Sequence, residues 1–496
     1  MCLLGKEDST LPDTMFRLYS EAVKYIFKRK DVPFEEISKV VIEIGKVGLK
    51  GLTSQDQQLS FQENEFEKGS LSVALKAGIL TSHRVLKGLD TQINIEFIHK
   101  TFQEFCAAQY WQSLLQKDPK EFQKIFEDVV KSYSFEYLLR FCCGQQEACT
   151  NEIVQMLQKY TFNDAMSKLV LLCCFECQSS DTLPPKDYIN SVLTDRVNLT
   201  GFNSDHLKSF IWFLKCVTDH TNDRGHAYLS KVQNVAVASS ELHGHCQSLL
   251  DSMKGMTNLS ALWLKNCSLT GGDLKHISLP LSDMPSVVEL NLSENKSLSD
   301  SGESWVYLQD MKHIQSLKLD DCNLNTQDLK GIAAALGCLG SLVHCSVNEI
   351  FQVNPTGTGI RLILSSVHGV DVADVLEAIC IKRSDIVELF LTEINELDVS
   401  AVLHTSLWKQ LTNIEKLELH ECPQPSANIV NVGVLLSEMP NLKHCTVGES
   451  FTFSSTKLTF YSFNGTNMES ILKLMSKRND FVKLNLSIMY PPSDPT

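Results

Sequence analysis

The stretch Leu259-Ser-Ala-Leu262-Trp-Leu264-Lys-Asn-Cys267-Ser-Leu269 decides how this chain folds, because it recurs. It returns as Val287-Val-Glu-Leu290-Asn-Leu292-Ser-Glu-Asn295 and as Ile314-Gln-Ser-Leu317-Lys-Leu319-Asp-Asp-Cys322. Further copies are Ile386-Val-Glu-Leu389-Phe-Leu391, Ile414-Glu-Lys-Leu417-Glu-Leu419-His-Glu-Cys422 and Phe481-Val-Lys-Leu484-Asn-Leu486. In Leu342-Val-His-Cys345-Ser-Val347 and Leu442-Lys-His-Cys445-Thr-Val447 a cysteine replaces the middle leucine. Neighbouring copies are spaced by about 28 residues, the period of a long leucine-rich unit. Two longer gaps are expected to hold strands at Leu362-Ile-Leu364 and Leu458-Thr-Phe460. Alternate leucines leave a short strand on one side and the intervening residues on the other. Between strands, segments such as Asp328-Leu-Lys-Gly-Ile-Ala-Ala-Ala-Leu336 carry apolar residues at helical spacing. One such unit cannot bury its own leucines, so units stack side by side into a parallel sheet.

This pattern resembles leucine-rich repeats of the long, ribonuclease-inhibitor type. Cys267, Cys322, Cys422 and Asn295 take the small, hydrogen-bonding position after each strand. The order of motifs over 314–391 repeats over 414–486, which suggests a duplicated block. An earlier unit is expected near Arg196-Val-Asn-Leu199, followed by a helix containing Leu207, Phe210 and Leu214. Residues pointing away from the leucines would line a concave face. They are Trp263, Lys265, Glu289, Asn291, Lys318, Asp320, Phe390, Glu418 and His420, the candidate contacts for a partner. Exposed aromatics are frequent interface anchors, although the same residues could simply form a solvated face.

Composition limits the alternatives. A chain of 496 residues exceeds one compact core, so two to four domains are expected. A formal charge of −14 opposes a nucleic-acid partner, which would need clustered Lys and Arg. The one basic knot, Lys28-Arg29-Lys30, closes an expected helix, where cations suit the dipole. Lys6, Glu7 and Asp8 interrupt any signal peptide, and the apolar run Leu169 to Phe175 is too short to span a bilayer. The expected location is therefore the cytoplasm, where the 17 cysteines stay reduced. The sequons at Asn198, Asn258, Asn291, Asn464 and Asn485 are then chance occurrences.

The first two hundred residues read as mostly helical. Helices are expected from Leu11-Pro12, from Phe34 to Leu49 and from Glu63 to Ala77, the last closed by Gly78. Ile79-Leu-Thr and Ile93-Asn-Ile95-Glu-Phe97 flank a polar turn near Asp90 as a hairpin, completing a winged helix. Thr101-Phe-Gln-Glu104 reads as a capping box opening the next helix. Here Phe97-Ile-His99-Lys-Thr-Phe102-Gln-Glu-Phe105-Cys-Ala-Ala-Gln-Tyr110-Trp111 resembles the junction between winged-helix and second helical domains of NOD-like receptors, the NACHT–leucine-rich-repeat immune sensors. Leu11-Pro-Asp-Thr, Ile44-Gly-Lys-Val-Gly-Leu-Lys-Gly-Leu52 and Leu171-Leu-Cys-Cys-Phe-Glu176-Cys-Gln178 are similar to flanking segments of that family, in the same order.

The departures are equally informative. No G-x-x-x-x-G-K-[ST] phosphate loop occurs, and no acidic strand end of the Walker-B kind can be assigned. The chain thus resembles the C-terminal portion of such a receptor without its nucleotide-binding core. The resemblance implies that His99 corresponds to a histidine contacting the ADP phosphate. It could do so only if another chain supplied that core, so ATP or ADP is expected as a cofactor only then. Otherwise His99 is a histidine satisfied at a domain junction. Cys174-Phe-Glu-Cys177 and His243-Gly-His245-Cys246 have metal-like spacing but lack a second ligand pair, so core packing is the preferred reading and no metal is expected. Neither G-x-S-x-G nor H-E-x-x-H occurs, and no enzyme activity is expected.

The expected fold is α+β and multidomain, with winged-helix and all-helical domains followed by an α/β leucine-rich-repeat solenoid. The expected divisions are 1–100, 101–194 and 195–496. The expected function is that of an innate immune sensing or regulatory protein that binds a protein or microbial ligand through its repeats. Other NOD-like receptors are further candidate partners, with neither nucleic acid nor membrane involved. The alternative is a stand-alone inhibitor or scaffold of the ribonuclease-inhibitor kind, whose acidic balance would speed association with a basic protein.

Overall fold

A computed structural model describes residues 12–87, 90–130, 135–144, 146–159, 164–178, 185–220, 222–300, 302–348, 350–365, 372–380, 382–393, 408, 410–420, 438–447, 451–454, 457–460 and 483–486. The expected features at Cys422 and Asn464 lie outside the described residues. The chain divides into two compact units: Met1–Val192 with Lys208–His220, and Leu193–Leu207 with Thr221–Thr496.

The first unit runs α1 (Met15–Lys28), α2 (Phe34–Leu52), β1 (Ser60–Gln62), α3 (Lys68–Ala77), β2 (Leu80–Lys87), β3 (Asp90–Phe97) and α4 (Lys100–Lys117). Then come α5 (Pro119–Val130), α6 (Glu136–Cys143), α7 (Glu147–Gln158), α8 (Asp164–Cys177) and α9 (Lys186–Val192). The hairpin β2–β3 is antiparallel, from Leu80 opposite Phe97 to Lys87 opposite Asp90. β1 joins the other edge of β3, giving a sheet ordered β1-β3-β2, and that third strand had no clear sequence signal.

Three expected helix starts move. Pro12 lies outside α1, which begins after Thr14; the Thr14 hydroxyl accepts from the Arg17 amide and so fixes the start. Helix α3 begins at Lys68 rather than Glu63, because the Glu67 carboxylate caps the Gly69 and Ser70 amides. The capping box at Thr101 is absent: His99 is the N-cap, its Nδ1 accepting from the Thr101 amide at 3.1 Å. Glu104 is instead buried, 3.9 Å from Lys100, and burial raises its carboxyl to about 7.

Helices α2 and α4 meet at a glycine seam. A Cβ on Gly45 would fall 2.0 Å from the Cys106 carbonyl oxygen of α4, and one on Gly48 would fall 3.2 Å from Gln103 of the same helix. Glycine is thus what lets these backbones approach. A buried ion pair ties three further helices together. Glu176 in α8, fully buried, accepts from Arg140 of α6 at 2.8 Å and from the Phe16 amide of α1 at 2.9 Å.

The second unit begins with β4 (Arg196–Thr200), α10 (Ser204–His220), whose Lys208–His220 part groups with the first unit, and α11 (Asn222–Leu229). It continues with β5 (Asn234–Ala238), α12 (Cys246–Met253), β6 (Ala261–Lys265), α13 (Asp273–Ser282), β7 (Glu289–Asn291), β8 (Ser316–Lys318) and α14 (Thr326–Leu336). Next are β9 (His344–Val347), β10 (Phe351–Pro355), β11 (Ile360–Ser365), α15 (Val372–Cys380) and β12 (Ile386–Thr392). The last strands are β13 (Lys416–His420), β14 (His444–Val447), β15 (Phe451–Ser454), β16 (Lys457–Phe460) and β17 (Lys483–Leu486). All fourteen strands form one sheet in sequence order.

The pairing is parallel except around β10 and β15. Each of these runs antiparallel to both neighbours, β9 and β11 in one case and β14 and β16 in the other. The strands from β8 to β12 and from β13 to β17 therefore repeat one order of directions, parallel, antiparallel, antiparallel, parallel. Leu262, Leu290, Leu317, Cys345, Leu362, Leu389, Leu417 and Cys445 are all essentially inaccessible, so the cysteines fill the leucine position of the core.

The turns after the strands are bound from one unit to another. Asn295 is fully buried; its Oδ1 accepts from the amides of Cys267 at 2.8 Å and Leu269 at 3.2 Å. Its Nδ2 donates to the carbonyls of Leu264 and Leu292, both at 2.7 Å. Cys267 and Cys322 each donate their thiol to a carbonyl of an earlier strand, Val237 and Leu292. Asp328 in α14 accepts from the Trp305 indole at 2.9 Å, the Gly302 amide at 3.1 Å and the Ser299 hydroxyl. Burial pushes its carboxyl up, but the hydrogen bonds from Ser299, Trp305 and the Asn325 amide outweigh that and leave it low.

Candidate functional site

Opposite the buried leucines, the sheet presents a half-exposed face, and every candidate contact residue stands on it or on its rim. Register places Trp263, Asn291, Lys318, Ser346, Gln352, Ile363, Phe390 and Glu418 in one row across the strands. The two aromatics are not bare, as the sequence suggested. Both are half-buried and both carry cations on their rings.

Trp263 anchors the first cluster. The Arg196 guanidinium lies 4.9 Å from its ring centre, reaching from β4 diagonally across β5, where Arg196 pairs with Asn234 and Trp263 with Ala236. The indole donates to Glu289 at 3.1 Å, and Lys318 donates to the same carboxylate oxygen at 3.1 Å. Lys265 pairs with Glu294 at 2.9 Å. Asn291 accepts from the Ser293 amide, while Asp320 accepts from the Ser346 hydroxyl and the Asn348 amide. These last two side chains are therefore engaged in holding turns.

Phe390 anchors the second. Arg361 lies 4.6 Å and Lys416 4.9 Å from its ring centre. Glu388 takes the Arg361 guanidinium at 2.7 Å, and Glu418 takes Lys416 at 2.7 Å. Glu418 also meets His420 at 2.7 Å and His444 at 3.8 Å. Burial pushes the Glu418 carboxyl up, yet hydrogen bonds from His420 and Lys416 prevail and hold it below its usual value. Burial, reinforced by Lys416, lowers His444. Arg196, Arg361, Glu388, Lys416 and His444 belong to these clusters but were not among the sequence candidates.

Along one rim, a residue one to three positions beyond several strands adopts a left-handed turn: Asn266, Glu294, Asp321 and Glu393 have φ of 51°, 67°, 58° and 55°. Residues 193–496 contain 33 Asp and Glu against 23 Lys and Arg, most of the net negative charge. The face combines aromatic anchors, paired charges and an acidic margin, a composition suited to a protein surface.

The other candidates fall elsewhere. His99 is exposed, and its Nδ1 caps α4 while also contacting the Thr101 hydroxyl at 2.9 Å. The two histidines of His243-Gly-His245 diverge, His243 to Asp273 at 2.9 Å and His245 to Ser204 at 2.9 Å. Cys174 is buried and Cys177 partly so, in α8. Among the described residues no group of three His, Cys, Asp or Glu is placed to hold a metal ion, and no helix is long and apolar enough to cross a membrane. A groove of about 120 Å³ lined by Val23, Phe34, Ile37, Val41 and Phe105 is smaller than small-molecule sites of about 300 Å³ or more.

Strands recurring at about 28 residues over β5–β9 and again over β11–β14, with the buried leucine row and its cysteine and asparagine turns, have the architecture of leucine-rich repeats, and the repeats are similar to those of the ribonuclease-inhibitor type. Comparison with known proteins gives 35% identity over 94 residues to the ribonuclease inhibitor of Sus scrofa, 18% of this chain and 20% of that one. The chain thus matches about a fifth of that relative's length. Among solved structures, the leucine-rich repeat-containing protein LegL7 of Legionella pneumophila aligns over 60% of this chain and 97% of its own, at 14% identity and a TM-score of 0.26. No family model matches the sequence.

Proposed function

We propose that this chain is a NOD-like-receptor-like regulatory protein that acts in the cytoplasm by binding a protein through the open face of its repeat sheet, without catalysis of its own. The observation that carries the binding role is that face itself, with two cation-stacked aromatics inside a network of paired charges. The receptor-like part of the reading is supported by the run from Phe97 to Trp111 and by its setting, a hairpin leading into a long buried helix. In this reading the first unit is a winged-helix and helical transmitter, and the partner is a microbial protein or an intact receptor supplying the nucleotide core.

The experiment is capture of proteins from cell extract by the purified chain, set against a variant carrying Lys318→Glu and Arg361→Glu. Proteins retained by the former and lost by the latter support the reading. Identical captured sets refute it. For the receptor-like part, adding a nucleotide-binding core should produce ADP affinity that His99→Asn weakens; this change keeps a capping side chain. Unchanged affinity counts against a nucleotide role for His99.

The likeness to a ribonuclease inhibitor and the acidic excess favour a second reading, a stand-alone protein-binding inhibitor. It expects salt-sensitive capture of a basic protein that needs no nucleotide.

A further inference from the structure

We infer that the free edge of the hairpin strand β2 takes an extended acidic segment of a partner protein, which joins the three-stranded sheet as a further strand. The site lies wholly in the first unit, so it is separate from the repeat face and its test does not depend on that reading. β2 is the last strand in the order β1-β3-β2, and only β3 pairs with it. The Ile98 amide donates to the Ile79 carbonyl at 3.1 Å, in register with the hairpin, so these two residues form a hydrogen-bonded pair. Such pairs alternate along an antiparallel ladder. Thr81, His83, Val85 and Lys87 therefore turn their amides and carbonyls to β3, whereas Ser82, Arg84 and Leu86 turn theirs away from it. Neither Ser82 nor Arg84 pairs its outward amide or carbonyl with any described residue. Ser82, His83, Arg84 and Val85 are all exposed, so neither side of the strand is covered there. The strand also lacks the devices that blunt a free edge: it contains no proline, and its register with β3 runs from Leu80 to Lys87 without a bulge.

Arg84 decides which chemistry adds there. It is exposed and makes no ion pair with a described residue. Register puts it opposite Ile93, on the side of the sheet that also carries Ser82 and Ile95, none of them acidic. Glu96 stands opposite Thr81 and so lies on the other side, with His83 and Val85. An aspartate or glutamate on the added strand, opposite Arg84, therefore supplies the carboxylate that this side of the sheet lacks. The next residue of that strand meets exposed Val85, where a β-branched side chain packs well. A second copy of this chain is the poorer occupant. Two-fold pairing of β2 with itself, centred on His83, Arg84 or Val85, sets Arg84 opposite or diagonal to its own copy, where like charges repel. The overall charge of −14 opposes a nucleic acid.

The test uses the full chain and a labelled peptide of about seven residues, enough to run past Ser82 and Leu86 as a strand. Its central glutamate is flanked by β-branched residues, and binding is followed by fluorescence anisotropy. Three modified peptides are compared with it. One is N-methylated at the glutamate and one alternate residue, whose amides face β2 in the paired strand. Another is N-methylated at the intervening residues, whose amides face solvent. The third has lysine for glutamate. The parent peptide should bind, and methylation facing β2 should weaken it about thirtyfold by removing two donors. Methylation facing solvent should leave binding within about threefold of the parent. Arg84→Glu should weaken the acidic peptide about tenfold and make the lysine peptide the better ligand. Ser82→Pro removes one outward donor at an edge position that tolerates proline, and should weaken binding about fivefold. Equal loss from either pattern of methylation overturns the inference, as does equal binding of the lysine peptide to the native chain. So does a total lack of binding by the parent peptide. A dimer of the native chain in sedimentation that Ser82→Pro abolishes would give the edge to a second copy, and displacement of the peptide by a short DNA duplex would give Arg84 to phosphate; either result also overturns it.

Discussion

Replacing Asn295 by alanine, and separately by cysteine, measures how tightly one repeat is bound to the repeat before it. In the native protein its side chain makes four short hydrogen bonds, two accepted from buried amides and two donated to buried carbonyls. Each is worth about 1 kcal/mol net, so alanine should cost about 4 kcal/mol, and somewhat more if the amides stay dry. Cysteine can restore part of this. At the equivalent positions, Cys267 and Cys322 donate their thiols to carbonyls of the same two kinds. A thiol cannot replace the amide oxygen as acceptor for both Cys267 and Leu269, so Asn295→Cys should cost about 2 kcal/mol. A chain of two units need not unfold in one step, so the measurement should be local. Hydrogen–deuterium exchange over residues 261–270 reads the Cys267 and Leu269 amides directly. Exchange there should accelerate about a thousandfold in the alanine variant and about thirtyfold in the cysteine variant, with little change in α2 and α4. Equal acceleration in the two variants would refute the idea that acceptor and donor roles are separable. A change under about fivefold in alanine would refute the latch itself.

Other outcomes follow from the first unit. Gly45→Ala should destabilise it by more than about 3 kcal/mol, since the new carbon meets the Cys106 backbone; Gly340→Ala, in open space, is the control, and thermal melts compare them. Arg140→Ala should cost about 3–5 kcal/mol by stranding fully buried Glu176, seen as loss of near-ultraviolet circular dichroism at lower urea. Glu104 titrates near 7 in the folded protein and near 4.5 otherwise, so the unfolded state loses its proton first and stability falls as pH rises through that window. Glu104→Gln should therefore gain up to about 3 kcal/mol at pH 8 and nothing at pH 4.5 in urea titrations; a gain that is the same at both pH values would contradict the buried-carboxyl account.

The repeat sheet was legible because its signal is local: two leucines on alternate positions specify which way a strand faces. The same simplicity concealed what departs from it. Strand β5 carries Val235 and Val237 with Ala236 between them, so it lacks the leucine motif although it occupies a full place in the sheet. Strand β10 follows β9 after three residues, inside an interval where a fixed repeat length leads one to expect a helix. The candidate contacts were found by facing alone, but their state was not. Arg196 reaches Trp263 over 67 positions of sequence, and only the register of three strands brings them together. At the start of α4, Thr101 and Glu104 match a capping pattern, yet the N-cap is His99, two residues earlier, and Glu104 turns inward. Burial decided against local pattern there, and a single sequence holds no direct sign of it.

Three of the polar latches between repeats point the same way. Asn295 serves the backbone of residues 264–269, Asp273 serves His243, and Asp328 serves Ser299 and Trp305. At these three places a repeat is thus finished by the one that follows it in the chain. On a ribosome, a repeat that has emerged still exposes donors whose acceptors have yet to be synthesised, so ordering must lag translation by about one repeat. A chain whose synthesis pauses within this region would present those open turns to chaperones, and resume folding only as the next strand and its turn appear.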